Sequence, residues 1–115
     1  TPDTRRLKQV LQLVAERFGG ALHIEEVAEL CGYSKSHFMR WFRKMTGQSF
    51  VTYLNEQRLS ASASMLRSED CTQTILAIAG KCGFENLSYF NRMFKRRYGM
   101  TPREYRGKIL NTKNV

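Results

Sequence analysis

Leu7, Val10, Leu11, Val14 and Phe18 recur at spacings of three and four residues, the stripe of one face of a helix. Gly19-Gly20 is expected to end that helix. Ile24, Val27, Ala28 and Leu30 predict a second, short helix over about 24–31, and Gly32 suits a turn that needs a positive φ. Ser34 is a good N-cap for a third helix over about 35–45. On it Phe38, Trp41, Phe42 and Met45 fall on the inner face, and Lys35, Ser36, Met39, Arg40 and Arg43 on the other. Gly47 closes this helix, and Ser49 caps a longer one running to about Arg67. Its apolar stripe is Phe50, Tyr53, Leu54, Leu59, Ala63 and Leu66. Ser68-Glu69-Asp70 reads as a loop.

The remainder repeats the plan. A helix from about Thr74 to Lys81 carries Ile75, Ile78 and Ala79, and another from about Asn86 to Tyr98 turns Tyr89, Phe90, Met93 and Phe94 inward. A last helix starts at Thr101-Pro102-Arg103-Glu104, a capping box with Pro at the first helical position. The repeat is visible residue by residue. Cys31-Gly32-Tyr33-Ser34, Phe38, Arg40, Phe42, Arg43 and Gly47 return as Cys82-Gly83-Phe84-Glu85, Phe90, Arg92, Phe94, Lys95 and Gly99. The offset is 51 residues before the Gly-aromatic turn and 52 after it, so the second copy carries one extra residue just past the turn. A repeat of this kind fixes architecture before anything else does. Each copy is a short helix, a tight turn and a basic helix, the outline of a helix-turn-helix. The expected fold is all-α with about seven helices. It comprises a first helix-turn-helix lobe over 1–48, a linker helix over 49–67, a second lobe over 68–108 and a polar, frayed tail over 109–115.

Charge then gives the pattern a partner. The 115 residues carry a formal charge of +9, with 42% hydrophobic and 25% charged residues, a composition ordinary for one compact domain or two small lobes. There is no apolar run near the roughly 20 residues of a membrane span and no secretory signal pattern. A soluble, cytoplasmic protein is expected. The chain does not open with Met, and an excised fragment of something longer is expected. The basic excess is concentrated in the second helix of each repeat: Lys35, Arg40, Arg43 and Lys44 in one, Arg92, Lys95, Arg96 and Arg97 in the other. Glu25, Glu26 and Glu29 gather instead on the helix before the first turn. Two basic helices at matching places favour two equivalent dockings on a polyanion over a diffuse patch.

A helix enters the major groove when it offers donors to base edges and cations to the phosphates on either side. Arg40 and Arg92 hold the same place in the two copies. Arginine there can pair bidentately with guanine O6 and N7. Ser36 and Met39 flank the first, and Asn86, Ser88 and Asn91 the second. Lys35, Arg43, Lys44, Lys95, Arg96 and Arg97 sit where phosphate contacts and salt-dependent affinity are expected, and Asn86 is grouped with them as a phosphate contact. A linker helix of about 19 residues would be about 28 Å long, close to the roughly 34 Å between successive major-groove faces.

These residues carry a resemblance. The run Ile24 to Gly47, then Arg58-Leu59, Ala63, Ile78-Ala79, Gly83-Phe84, Ser88-Tyr89-Phe90, Arg92, Phe94-Lys95, Gly99, Thr101-Pro102 and Tyr105-Arg106 resembles the DNA-binding domain of the AraC/XylS family of bacterial transcription regulators. The resemblance covers nearly the whole chain. It implies two helix-turn-helix lobes joined by a long helix, each placing one helix in the major groove. The family's base-reading positions fall on Ser36, Met39, Arg40, Leu87, Ser88, Asn91 and Arg92. It also implies a double-stranded DNA operator, contact with RNA polymerase in activation, and a separate sensing or dimerisation domain before Thr1. Four positions depart from the family pattern: Phe50 where proline is frequent, His23 where a Ser or Thr cap is common, and the weakly hydrogen-bonding Met39 and Leu87 at reading positions.

Other chemistries find little support. Three cysteines without a C-x-x-C, and His23 and His37 away from ligand spacing, give no metal site. Cys31 and Cys82, at equivalent places beside the turns, read as buried structural thiols. Paired carboxylates, an activated nucleophile and a phosphate loop are lacking, so neither an enzyme nor a cofactor is expected. Two rivals remain: a non-specific architectural binder of nucleic acid, and an adaptor whose basic helices bind an acidic protein.

Overall fold

The turn of each repeat is closed by the same backbone bonds. Gly32 takes φ 75° and Gly83 φ 95°, values open to glycine because it lacks a Cβ. The Gly32 amide donates to the Glu29 carbonyl at 2.9 Å and the Tyr33 amide reaches back to Ala28 at 3.0 Å. In the second copy Gly83 donates to Gly80 at 3.1 Å and Phe84 to Ala79 at 2.9 Å. Both helices therefore end by a turn that satisfies their last carbonyls and redirects the chain. The extra residue of the second copy is Glu85, between Phe84 and the Asn86 cap of the next helix.

The computed structural model describes residues 1–113, with side chains through 111. Its elements are α1 (Pro2–Arg17), α2 (Ile24–Cys31), α3 (Lys35–Thr46), α4 (Phe50–Arg67), α5 (Ile75–Lys81), α6 (Leu87–Tyr98) and α7 (Pro102–Lys113). The described residues contain no strand. The caps fall where side-chain chemistry predicts them. Ser34 Oγ accepts from the His37 amide at 3.2 Å and Asn86 Oδ1 from the Tyr89 amide at 2.9 Å. Thr101 Oγ1 accepts from the Glu104 amide at 3.2 Å, while Glu104 Oε1 accepts from the Thr101 amide at 3.2 Å, closing the capping box.

Two cores form, and the chain divides into compact units at Thr1–Gln57 and Arg58–Val115. The first core holds Val10, Val14, Leu22, Val27, Ala28, Phe38, Trp41, Phe42, Phe50 and Leu54. The second holds Leu59, Ala63, Leu66, Ile78, Ala79, Phe84, Phe90 and Phe94. The division falls inside α4, and this shows that the repeat extends further than the turn. The first half of α4 covers the first core with Phe50, Tyr53 and Leu54, as α7 covers the second with Pro102 and Tyr105. Its second half serves the second core as α1 serves the first: Arg6-Leu7, Leu11 and Val14 have Arg58-Leu59, Ala63 and Leu66 as counterparts 52 residues on. Ser62 stands where the first unit has Val10, fully buried, its hydroxyl donating to the Leu59 carbonyl at 2.7 Å.

Several expectations are corrected. Leu30 is half exposed, not core, because Val27, Ala28 and Cys31 already fill the inner face of α2. Met45, by contrast, faces inward as expected, partly buried and packed against the first core. Helix α1 ends at Arg17, but neither Gly19 nor Gly20 adopts a positive φ; Phe18, at φ −60°, caps it in a right-handed conformation. Helix α7 runs on through Lys113, five residues beyond the expected end of the second lobe at 108. Residues 114 and 115 lie outside the described residues.

Candidate nucleic-acid interface

The inward rotation of α3 and α6 is set by their phenylalanines. Phe38, Phe42, Phe90 and Phe94 are completely buried. With both ridges anchored, every residue between them is committed to a face. Ser36, Met39 and Arg40 are exposed on α3, and Leu87, Ser88 and Arg92 on α6, while Asn91 is partly buried. Met39 and Leu87 expose 44% and 36% of their surface, one on each helix. Lys35, Arg43, Lys44, Lys95, Arg96 and Arg97 are exposed as well. In each unit the reading and clamping candidates therefore share one outward basic helix.

Several of these cations already have neighbours. Lys35 Nζ lies 3.3 Å from Glu25. The Glu25 carboxyl is held below its ordinary value by its own backbone amide and then by Lys35. The pair is exposed and screened by solvent, so Lys35 remains free to exchange Glu25 for another anion. Asn86 uses its carbonyl oxygen as the α6 cap, which leaves its amide donors for an anion. The Arg92 guanidinium stands 5.9 Å from the Tyr89 ring and that of Arg97 4.8 Å from the Tyr98 ring. Such stacking orients a guanidinium at little cost in charge.

The N-terminal end of α3 carries an anchor that the charge pattern alone does not show. Trp41 Nε1 donates to Asp3 Oδ1 at 3.1 Å. Arg6 lies 5.2 Å over the Tyr33 ring, whose centroid is 4.0 Å from that of His37. The first turns of α1 thus hold both the turn and the recognition helix. In the second unit Arg58, counterpart of Arg6, sits near Glu85 and Tyr89; burial pushes its guanidinium below the ordinary value and these two groups oppose that shift. The matching Arg-Leu dipeptides at 6–7 and 58–59 were the signal that could have located this anchor.

The cysteines and the acidic residues do not form a site of their own among the described residues. Burial pushes the Cys31 and Cys82 thiols above their ordinary values, the condition of an unreactive thiol. Among the described residues there is no cluster of three metal-ligating side chains. No helix among them is long and apolar enough to cross a membrane.

Comparison with known proteins agrees with this geometry. A family described as a helix-turn-helix domain matches residues 27–108. The multiple antibiotic resistance protein MarA of Escherichia coli is 31% identical over 104 residues, 90% of this chain and 80% of that protein. The TetD protein of transposon Tn10 in E. coli is 36% identical over 103 residues, 90% of this chain and 73% of that one. The regulatory protein PocR of Salmonella typhimurium is 31% identical over 109 residues, but this chain spans only 35% of its length. Among solved structures, a probable AraC family transcriptional regulator from Rhodopseudomonas palustris superposes with a TM-score of 0.83 at 25% identity, covering 91% of this chain and 97% of that one. The DNA-binding domain of AdpA, solved in complex with a target DNA, gives 0.81 at 27% identity over 89% of this chain and 90% of that one.

Proposed function

The chain belongs to the AraC-type helix-turn-helix family of DNA-binding transcription regulators, and on that premise we propose that it binds duplex DNA sequence-specifically, with α3 and α6 each entering a major groove. The observation that carries this reading is the duplicated outward face. Arg40 and Arg92 are exposed at equivalent points of two capped helices, each flanked by side chains able to read base edges. The solved complex of AdpA with a target DNA supports it from outside.

In this reading Arg40 and Arg92 pair with guanines, Ser88 and Asn91 bond to neighbouring base edges, and Ser36 does so beside Arg40. Met39 and Leu87 make apolar contacts, for which thymine methyls are the partners in the groove. Lys35, Arg43, Lys44, Asn86, Lys95, Arg96 and Arg97 hold phosphates and fix register. The two lobes read adjacent segments, so one chain recognises a bipartite site. Because the chain spans 35% of PocR, a longer protein that adds a sensing or dimerisation domain fits the same reading. RNA polymerase contact and a cytoplasmic location fit it too. The unit itself carries no catalytic role.

Selection of bound duplexes from a random pool at about physiological salt tests the proposal. The expected result is two short enriched motifs about one helical turn apart. Binding without enrichment, vanishing as salt rises, would reduce the unit to a non-specific polyanion binder. Affinity for duplex DNA no better than for other polyanions would favour an acidic protein partner.

A further inference from the structure

Beside α3, within the first unit, lies a cleft of about 240 Å³ between that helix and the start of α4. Ile24, Met39, Phe50 and Val51 supply apolar walls, and Arg40 and Arg43 line it as well. Met39 and Val51 expose 44% and 55% of their surface there, so the walls meet solvent instead of closing on each other. Among the described residues no carboxylate pairs with Arg40 or Arg43, in contrast to Lys35, Arg17 and Arg6.

The internal repeat supplies a control. At the counterpart positions of the second unit Met39, Phe50 and Val51 become Asn91, Pro102 and Arg103, while Ile24, Arg40 and Arg43 keep their character as Ile75, Arg92 and Lys95. The cations and the Ile wall belong to both units; the exposed apolar pair Met39 and Val51 belongs to the first alone. Two basic helices that do the same work on DNA do not require that difference. An apolar surface next to unpaired guanidinium groups is complementary to an amphiphilic anion, whose body leaves water and whose carboxylate accepts from arginine.

We propose that this cleft binds a small monocarboxylate with a compact branched or cyclic hydrocarbon body. Size sets the class: an apolar cavity of about 150 Å³ accommodates benzene, and drug-sized ligands occupy about 300 Å³ or more. A body of about five or six carbons therefore fills the walls and leaves the carboxylate at Arg40 and Arg43. Occupancy does not rest on the DNA reading. Its consequence does: a carboxylate on Arg40 and Arg43 takes two groups assigned above to a base and a phosphate, so ligand and operator compete.

The test uses 4-methylpentanoate on the full chain, followed by methyl NMR. Saturable shifts confined to Ile24, Met39 and Val51 are expected, with a dissociation constant near about 1 mM, within reach of a ligand this small. Arg43→Gln should weaken binding about tenfold, and Val51→Arg, which copies Arg103 at an exposed position, should abolish it. Acetate, which lacks the body, and 4-methylpentanamide, which lacks the charge, should each fail to saturate. Equal shifts at Leu87 and Met93 in the second unit, saturation by acetate, or no shift at these methyls would overturn the proposal. With an operator in hand, added 4-methylpentanoate should raise the apparent Kd of the wild type and leave that of Val51→Arg unmoved. Loss of operator binding altogether, with the methyl shifts intact, would overturn the DNA reading and not the cleft.

Discussion

At the scale of single residues, the same side-chain type does different work according to the face it occupies. Arg40 and Arg92 point outward from helices whose opposite sides are locked by buried phenylalanines. Arg40→Ala and Arg92→Ala should each cost about 1–3 kcal/mol of discrimination at one base position. The positions affected should lie in different halves of the operator. Lys44→Ala should instead weaken all sequences alike and reduce the slope of log K against log salt by about 1. Binding isotherms on matched and mismatched duplexes at several salt concentrations separate the two behaviours; a uniform loss for the arginine variants would put readers and clamps in the wrong places. Ser62 is a buried polar residue whose hydroxyl donates to its own helix, at a carbonyl three residues back. That bond competes with helix geometry and is not needed to satisfy another element. Ser62→Ala should therefore leave stability unchanged or raise it by about 0.5 kcal/mol, read as an unchanged or higher Tm. A loss above about 1 kcal/mol would mean that the hydroxyl carries more than its geometry shows.

At the scale of elements, the boundaries are decided by which groups the chain can satisfy locally. Ser34, Asn86 and the Thr101–Glu104 box were legible because a capping oxygen acts within three residues of its own position. Gly32 was legible for the same reason, since an aromatic after a glycine closes a helix through a left-handed residue. Gly19-Gly20 marked the end of α1 but not the geometry of its cap. Glycine permits positive φ without requiring it, and there the chain turns with Gly20 bonded to Arg17 at 3.1 Å. The two kinds of glycine should respond oppositely to the same substitution. Gly32→Ala should cost about 1–2 kcal/mol from backbone strain alone, because a Cβ there meets no atom within 4 Å. Gly20→Ala, whose Cβ would meet only the Arg17 carbonyl at 3.8 Å, should be neutral or stabilise by about 0.4–1 kcal/mol through the unfolded chain. Urea midpoints at constant m-value check both, and a destabilising Gly20→Ala would show that this turn is as constrained as the other.

At the scale of the whole molecule, a formal charge of +9 leaves the few carboxylates to act as local attachments. Glu26 is held below the ordinary 4.5 by Arg17, Glu25 by its own amide and Lys35, and Glu104 by the Thr101 cap. A carboxyl whose pKa is depressed by folding contributes stability above its unfolded pKa and loses it as pH falls through the folded value. Tm should therefore hold steady from pH 7 to about 5 and decline below about 4.5, with Glu104→Gln flattening part of the decline. A Tm that does not move between pH 5 and pH 3 would show that these attachments carry no stability. The sequence by itself determined the number of helices, the duplication, the two basic helices and the phenylalanines that orient them. Each of these is written in spacing and charge, which are properties of order along the chain. Only the tertiary structure decided that Leu30 stands exposed on α2, and that α4 closes one core with its first half and opens the other with its second. It alone placed Asp3 on α3 and Arg6 on the turn before it, and left Met39, Val51 and two unpaired arginines around one cleft. Those outcomes depend on how much volume a core has left and on which distant side chains meet, and no local periodicity encodes either.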